Sequence, residues 1–65
     1  MFHNYVISIK YSTISNQFSL VGIEAAMHGY HAAIEFMEAF GLEAVIDLID
    51  GETGEILAST DRFEI

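Results

Sequence analysis

Val45-Ile46-Asp47-Leu48-Ile49-Asp50-Gly51-Glu52-Thr53-Gly54-Glu55-Ile56-Leu57 alternates, turns and alternates again. Ala44, Ile46 and Leu48 fall on one side of an extended chain, with Val45, Asp47 and Ile49 on the other. That period of two is the mark of a half-buried strand. Asp50 suits the first position of a type I turn, and Gly54 can take the positive φ of a closing G1 bulge. The return strand, Glu55 to Thr60, sets Ile56 and Ala58 opposite Leu57 and Ser59. A hairpin is predicted here, and alternation can carry its second strand through Asp61-Arg62-Phe63-Glu64-Ile65.

Working outward, residues 4 to 11 also alternate: Tyr5, Ile7, Ile9 and Tyr11 on one face, Val6, Ser8 and Lys10 on the other. Ser12 to Gln17 is polar and turn-like. Phe18 to about Glu24 reads as a second strand, with Gly22 marking a weak point or bulge. From Met27 to Phe40 the period becomes 3.6: Met27, Tyr30, Ile34 and Met37 form one stripe, with Ala33 and Phe40 beside it. Gly41 then suits a left-handed C-cap. The expected fold is α+β and a single small domain, 1–65. Its order is ββαββ, a four-stranded antiparallel sheet in the order 2-1-3-4 with one helix on one face. The alternative is βαββ, in which the helix runs over 23–40 and the second strand is lost.

The chain has 65 residues, no Cys and no Pro, and 52% apolar residues. A domain this size buries only ~60% of its unfolded surface, and without Cys it has no disulfide or thiolate metal site. Residues 1–34 hold one base, Lys10, and one acid, Glu24. Residues 35–65 hold nine acids against Arg62, and so carry the whole net charge of −8. Two bases cannot neutralise a phosphate backbone or an anionic lipid surface, which argues against direct nucleic-acid or membrane binding. Met1-Phe2-His3-Asn4-Tyr5 lacks the basic start and apolar core of a signal peptide. No apolar run approaches the ~18 residues of a membrane span. The expectation is a cytoplasmic protein.

The helix carries two further stripes. Glu24, His28, His31, Glu35 and Glu38 form a polar one. Within it His28, His31 and Glu35 place two imidazoles and a carboxylate on one face, a donor set that suits a first-row divalent metal. Three ligands from one helix rarely close a tetrahedral site, so a solvated face is the plainer reading and no metal or cofactor is expected. Ala25, Gly29, Ala32, Phe36 and Ala39 form a small apolar stripe. Either Phe36 marks a homodimer or partner face built on Ala25, Gly29, Ala32 and Phe36, or strand curvature or Phe63 covers it. The serines lack a Gly-x-Ser-x-Gly context, and one helix on four short strands leaves little room for a pocket of ~300 Å³. The chain does not read as an enzyme.

The acids are the stronger signal. Glu43 and Asp47 are expected on one strand face about 13 Å apart, Asp50 and Glu52 at the turn, Glu55 on the return strand, and Glu35 and Glu38 at the end of the helix. Ordinary surfaces intersperse both signs, and crowded like charges destabilise a compact chain. Two readings follow: a patch for a basic partner through Glu35, Glu38, Glu43, Asp47, Asp50, Glu52 and Glu55, or acids that keep an apolar domain dispersed.

In profile, the acidic block from Glu35 to Glu64 and the hairpin Val45 to Leu57 resemble the small phage-encoded inhibitors of the anti-CRISPR kind that act as nucleic-acid mimics. The likeness is of size, acidity and sheet-plus-helix architecture, with no alignable motif. It implies a non-enzymatic inhibitor in a bacterial host cell. Such a protein would occupy the Lys/Arg-rich DNA-binding site of a CRISPR-Cas subunit or another basic nucleic-acid-binding protein.

Overall fold

The computed structural model of the protein describes residues 3–60. Five elements follow in order: β1 (Asn4–Tyr11), β2 (Ile14–Val21), α1 (Ile23–Ala39), β3 (Val45–Asp50) and β4 (Ile56–Ser59). They form one antiparallel sheet, β2-β1-β3-β4, as the alternation predicts. The extension of the last strand through Asp61–Ile65 and the covering of Phe36 by Phe63 lie outside the described residues.

β1 is the centre of this sheet. Gly22 N–H donates to the His3 carbonyl at 2.9 Å and Gly51 N–H to the Asn4 carbonyl at 2.8 Å. Antiparallel bonding alternates along a strand. The odd residues of β1 therefore bond to β2 and the even ones to β3, in the registers Ile7↔Phe18 and Ser8↔Asp47. β2 and β3, both antiparallel to β1, run parallel to each other, and α1 makes the crossover between them.

The core lies between α1 and the middle of the sheet. Ile7, Ile46 and Leu48 face Ala26 and Tyr30, with Tyr5, Ile9, Leu20, Ala33, Ile34, Met37 and Ala58 around them. The buried helix face keeps Tyr30, Ile34 and Met37 of the predicted stripe, with Ala33 beside them, but takes Ala26 in place of Met27. Ala26 is 0% exposed, whereas Met27 and Phe40 are exposed. The reason is clearance: a helix lies closest to a sheet along its smallest side chains, here Ala26, Gly29 and Ala33. A Cβ on Gly29 would meet the Leu20 and Ile7 Cδ1 atoms at 2.8 and 2.9 Å.

Three boundaries differ from expectation. Ser12–Gln17 is not a long turn: only Ser12 and Thr13 reverse the chain, and β2 begins at Ile14. The helix starts at Ile23, yet the second strand survives because it lies upstream, at Ile14–Val21 rather than 18–24. At the hairpin, Gly54 takes φ 84 as expected. Its N–H reaches the Asp50 carbonyl at 2.7 Å, a closure one residue wider than a type I turn. A register irregularity between Leu48 and Ile49 pairs Ile56 with Ile49. Opposed residues share a face, so Ile56 leaves the predicted helix-facing set and is 57% exposed.

The helix ends as predicted. Gly41 has φ 67; its N–H donates to the Glu38 carbonyl and the Leu42 N–H to the Met37 carbonyl, the paired bonds of a Schellman cap. Ile46→Ala should cost about 2–5 kcal/mol, while Met27→Ala should cost less than about 1 kcal/mol. Urea unfolding of both variants checks the position of the core, and equal losses would contradict it.

Candidate interaction surfaces

Two of the seven predicted acidic contacts serve the fold. Asp50 organises the β3–β4 turn: its Oδ1 accepts the Glu52 N–H at 2.8 Å, the Thr53 N–H at 3.2 Å and His3 Nε2–H at 2.7 Å. His3 also sets Nδ1 3.7 Å from Glu52 Oε2, and its ring packs at a tilt against Tyr5. The side chain of residue 3 thereby clasps the start of β1 to the hairpin turn. Asp47, expected on an open strand face, is only 6% exposed and accepts the Ser59 hydroxyl proton. Reversing its charge would bury a lysine, so it is not a replaceable surface contact.

The remaining five, Glu35, Glu38, Glu43, Glu52 and Glu55, are exposed. They do not form one patch. Tyr5 pairs with Asp50 and Lys10 with Val45. Glu52 and Glu55 therefore sit at the end of the sheet where β1 begins, and Glu43 sits at the end where it finishes, beside the close of α1. The two ends are about 20 Å apart at ~3.4 Å per residue. Glu43 precedes β3, so the expected pairing of Glu43 and Asp47 on one strand face is not formed.

The second end brings its acids together with a helix terminus. Glu35 and Glu38 lie on the last turns of α1, which hold no basic residue, and Glu43 follows the cap. The helix macrodipole adds roughly half a negative charge at the same place. Among the described residues the only ion pairs are those of His3 at the opposite end. Lys10, paired with Val45 and beside Glu43, is the one Lys or Arg at this end among the described residues, so the three acids leave it a negative pole with a formal net charge of −2.

All five members of the polar helix stripe are exposed, as expected. Among the described residues, however, no group of three His, Asp or Glu side chains is close enough to hold a metal ion, so His28, His31 and Glu35 do not assemble a site. The apolar stripe divides. Gly29 faces the protein's own sheet, and Ala25 sits apart at the start of α1. Ala32 and Phe36 border a groove of ≈ 550 Å³ between α1 and β2, lined also by Ile9, Phe18, Leu20 and Met37. Phe18 and Phe36 are 53% and 54% exposed at its rim. The sequence leads one to expect little room for a pocket of ~300 Å³, and this groove is larger. Asn16 is the one polar side chain of its lining, so the groove suits apolar contact.

Two features escaped the sequence. Ser8 and Asp47, opposite each other on β1 and β3, are buried on the sheet face away from α1. The Ser8 hydroxyl has no hydrogen-bond partner. Alternation alone does not reveal this burial. The other feature is the edge of β2. Its eight residues, Ile14–Val21, carry no charge and are exposed except for Leu20.

No helix among the described residues is long and apolar enough to cross a membrane. Comparison with protein-family models, curated proteins and solved structures finds no match.

The His3–Asp50 clasp has a definite pH dependence. The hydrogen bond to Asp50 raises the His3 pKa above 6.5. The Glu52 backbone N–H, then His3, lower that of Asp50 below 3.8. His3 therefore contributes fully below 6.5 and loses its contribution as pH rises through its folded value; Asp50 contributes above 3.8 and loses it as pH falls. The clasp is complete between these limits. An NMR titration should place the His3 midpoint above 6.5, and Asp50→Asn should lower it. A midpoint unmoved by Asp50→Asn would contradict the pairing.

Proposed function

We propose that this protein is a non-enzymatic binding protein that acts by occupying a basic surface, and that the negative pole at the end of α1 is its point of engagement. The observation that carries this reading is the placement of Glu35, Glu38 and Glu43. All three are exposed, they share one end of the molecule with the negative end of the helix dipole, and among the described residues only Lys10 stands against them. Acids at a helix C-terminus destabilise the helix. A surface that served only dispersal could place the same charges at the helix start, where they stabilise it. Their position therefore favours a role outside the fold.

The partner chemistry follows from the charge. A Lys/Arg-rich groove built to receive phosphate would be attracted to this pole, with fast, salt-sensitive association. Its ordinary ligand would be displaced by occupancy. Glu52 and Glu55, about 20 Å away along the sheet, offer a second point of contact to a groove long enough to reach both ends. Nucleic-acid-binding proteins have such grooves. The finer form of this proposal is inhibition of a CRISPR-Cas effector complex at its DNA-binding site; it rests on the resemblance in size, acidity and architecture.

The triple reversal Glu35→Lys, Glu38→Lys, Glu43→Lys tests the reading, because its two effects should run in opposite directions. Lysines near the helix C-terminus should stabilise the fold, by roughly 0.3–1 kcal/mol for each residue in the last turn. The same variant should no longer block DNA binding by a purified CRISPR effector complex that the unaltered protein inhibits, and raising salt severalfold should weaken that inhibition. A stabilised triple variant that inhibits as well as the parent would overturn the role of the pole.

A further inference from the structure

We propose that the free edge of β2 pairs with the β2 of a second copy, joining two four-stranded sheets into one of eight strands. This inference stands apart from the acidic reading, since it uses the other half of the chain.

The backbone chemistry is specific. Gly22 bonds to His3, so by alternation the even residues of β2 bond to β1. The N–H and C=O groups of Ser15, Gln17, Ser19 and Val21 then point outward. An edge of this kind is a template for another strand unless it is short, bulged, charged or interrupted by Pro. β2 has none of these protections: it is eight residues long, uncharged and in unbroken register with β1. The opposite edge has two of them, for β4 is four residues long and follows the irregularity at Leu48/Ile49.

A second copy is the occupant that the charge distribution admits most readily. Each chain carries −8, so most ways of bringing two copies together oppose acids. Pairing through β2 joins the neutral halves. It leaves the β3–β4 hairpin three strand spacings away, about 14 Å, beyond the ~8–10 Å Debye length at moderate salt. The pairing is also self-complementary. An antiparallel register centred on Gln17 or on Phe18 obeys two-fold symmetry, bonds outward groups to outward groups, and keeps both helices on one face of the joined sheet. On that face Phe18, more than half exposed, lies opposite or diagonal to the Phe18 of the second copy. The grooves beside Phe36 then become continuous across the junction, which gives the exposed rings of Phe18 and Phe36 apolar neighbours.

Sedimentation equilibrium at tens of micromolar, in moderate salt, should give twice the 7.2 kDa chain mass. Gln17→Pro removes an outward N–H without removing a bond to β1, and should raise the dissociation constant at least about tenfold. Ser19→Lys, which places a charge on the edge, should act in the same direction and serves if the proline variant does not fold. Amide exchange reads the site itself: Ser15, Gln17, Ser19 and Val21 should be protected in concentrated protein and unprotected on dilution. A monomer throughout this range would overturn the proposal. So would a dimer that survives Ser19→Lys, or one in which those four amides exchange freely.

Discussion

The contact that the rest of the structure depends on is the seating of Ala26, Gly29 and Ala33 against Ile7 and Leu20, with Ile46 and Leu48 alongside. Small side chains let one 17-residue helix come down onto the sheet, and the large ones, Tyr30 and Met37, fill the space to either side. But one helix about 10 Å wide cannot cover four strands at ~4.8 Å spacing. It lies over β1 and β3, touches β2 at Leu20, and leaves the rest of β2 and the groove beside Phe36 open. The surfaces available for recognition are the remainder of that mismatch.

Charge and hydrophobicity are sorted along the chain, and the fold keeps them sorted in space. The neutral first half contributes β1, β2 and most of the helix. The acidic second half contributes the end of the helix and the hairpin. Within it the carboxylates divide by task. Asp50 is consumed in shaping the turn and holding His3, and Asp47 is buried against Ser59. Glu35, Glu38 and Glu43 do nothing evident for the fold and stand where the helix dipole makes a negative charge least favourable. Burial and hydrogen bonding thus separate the structural acids from those free to meet a partner.

Much of the fold was legible in the sequence because its main signals are local. Asp50 and Gly54 announced the hairpin, alternation fixed the faces of β1 and β3, and Gly41 marked the helix end. β2 was misplaced because an edge strand with one solvated face and an open groove on the other need not look apolar: Ser15, Asn16 and Gln17 resemble a turn. The helix start was obscured because Gly22 makes no side-chain cap, so no Ser, Thr or Asp announced it. Burial of Ser8 and Asp47 and the outward turn of Ile56 depend on neighbours from other strands, which no local pattern records. Of the candidate site, the exposed glutamates were legible, but their separation into two poles follows from strand direction.

The central claim is that the pole formed by Glu35, Glu38, Glu43 and the end of α1 is a docking point for cations. Titrating the labelled protein with a short Lys/Arg-rich peptide, followed by NMR amide shifts, tests it most directly. The account predicts perturbations centred on the last turn of the helix and on residues 41–44, fading as salt is raised. Perturbations centred on the Phe18–Phe36 groove, or none at this end of the molecule, would contradict it.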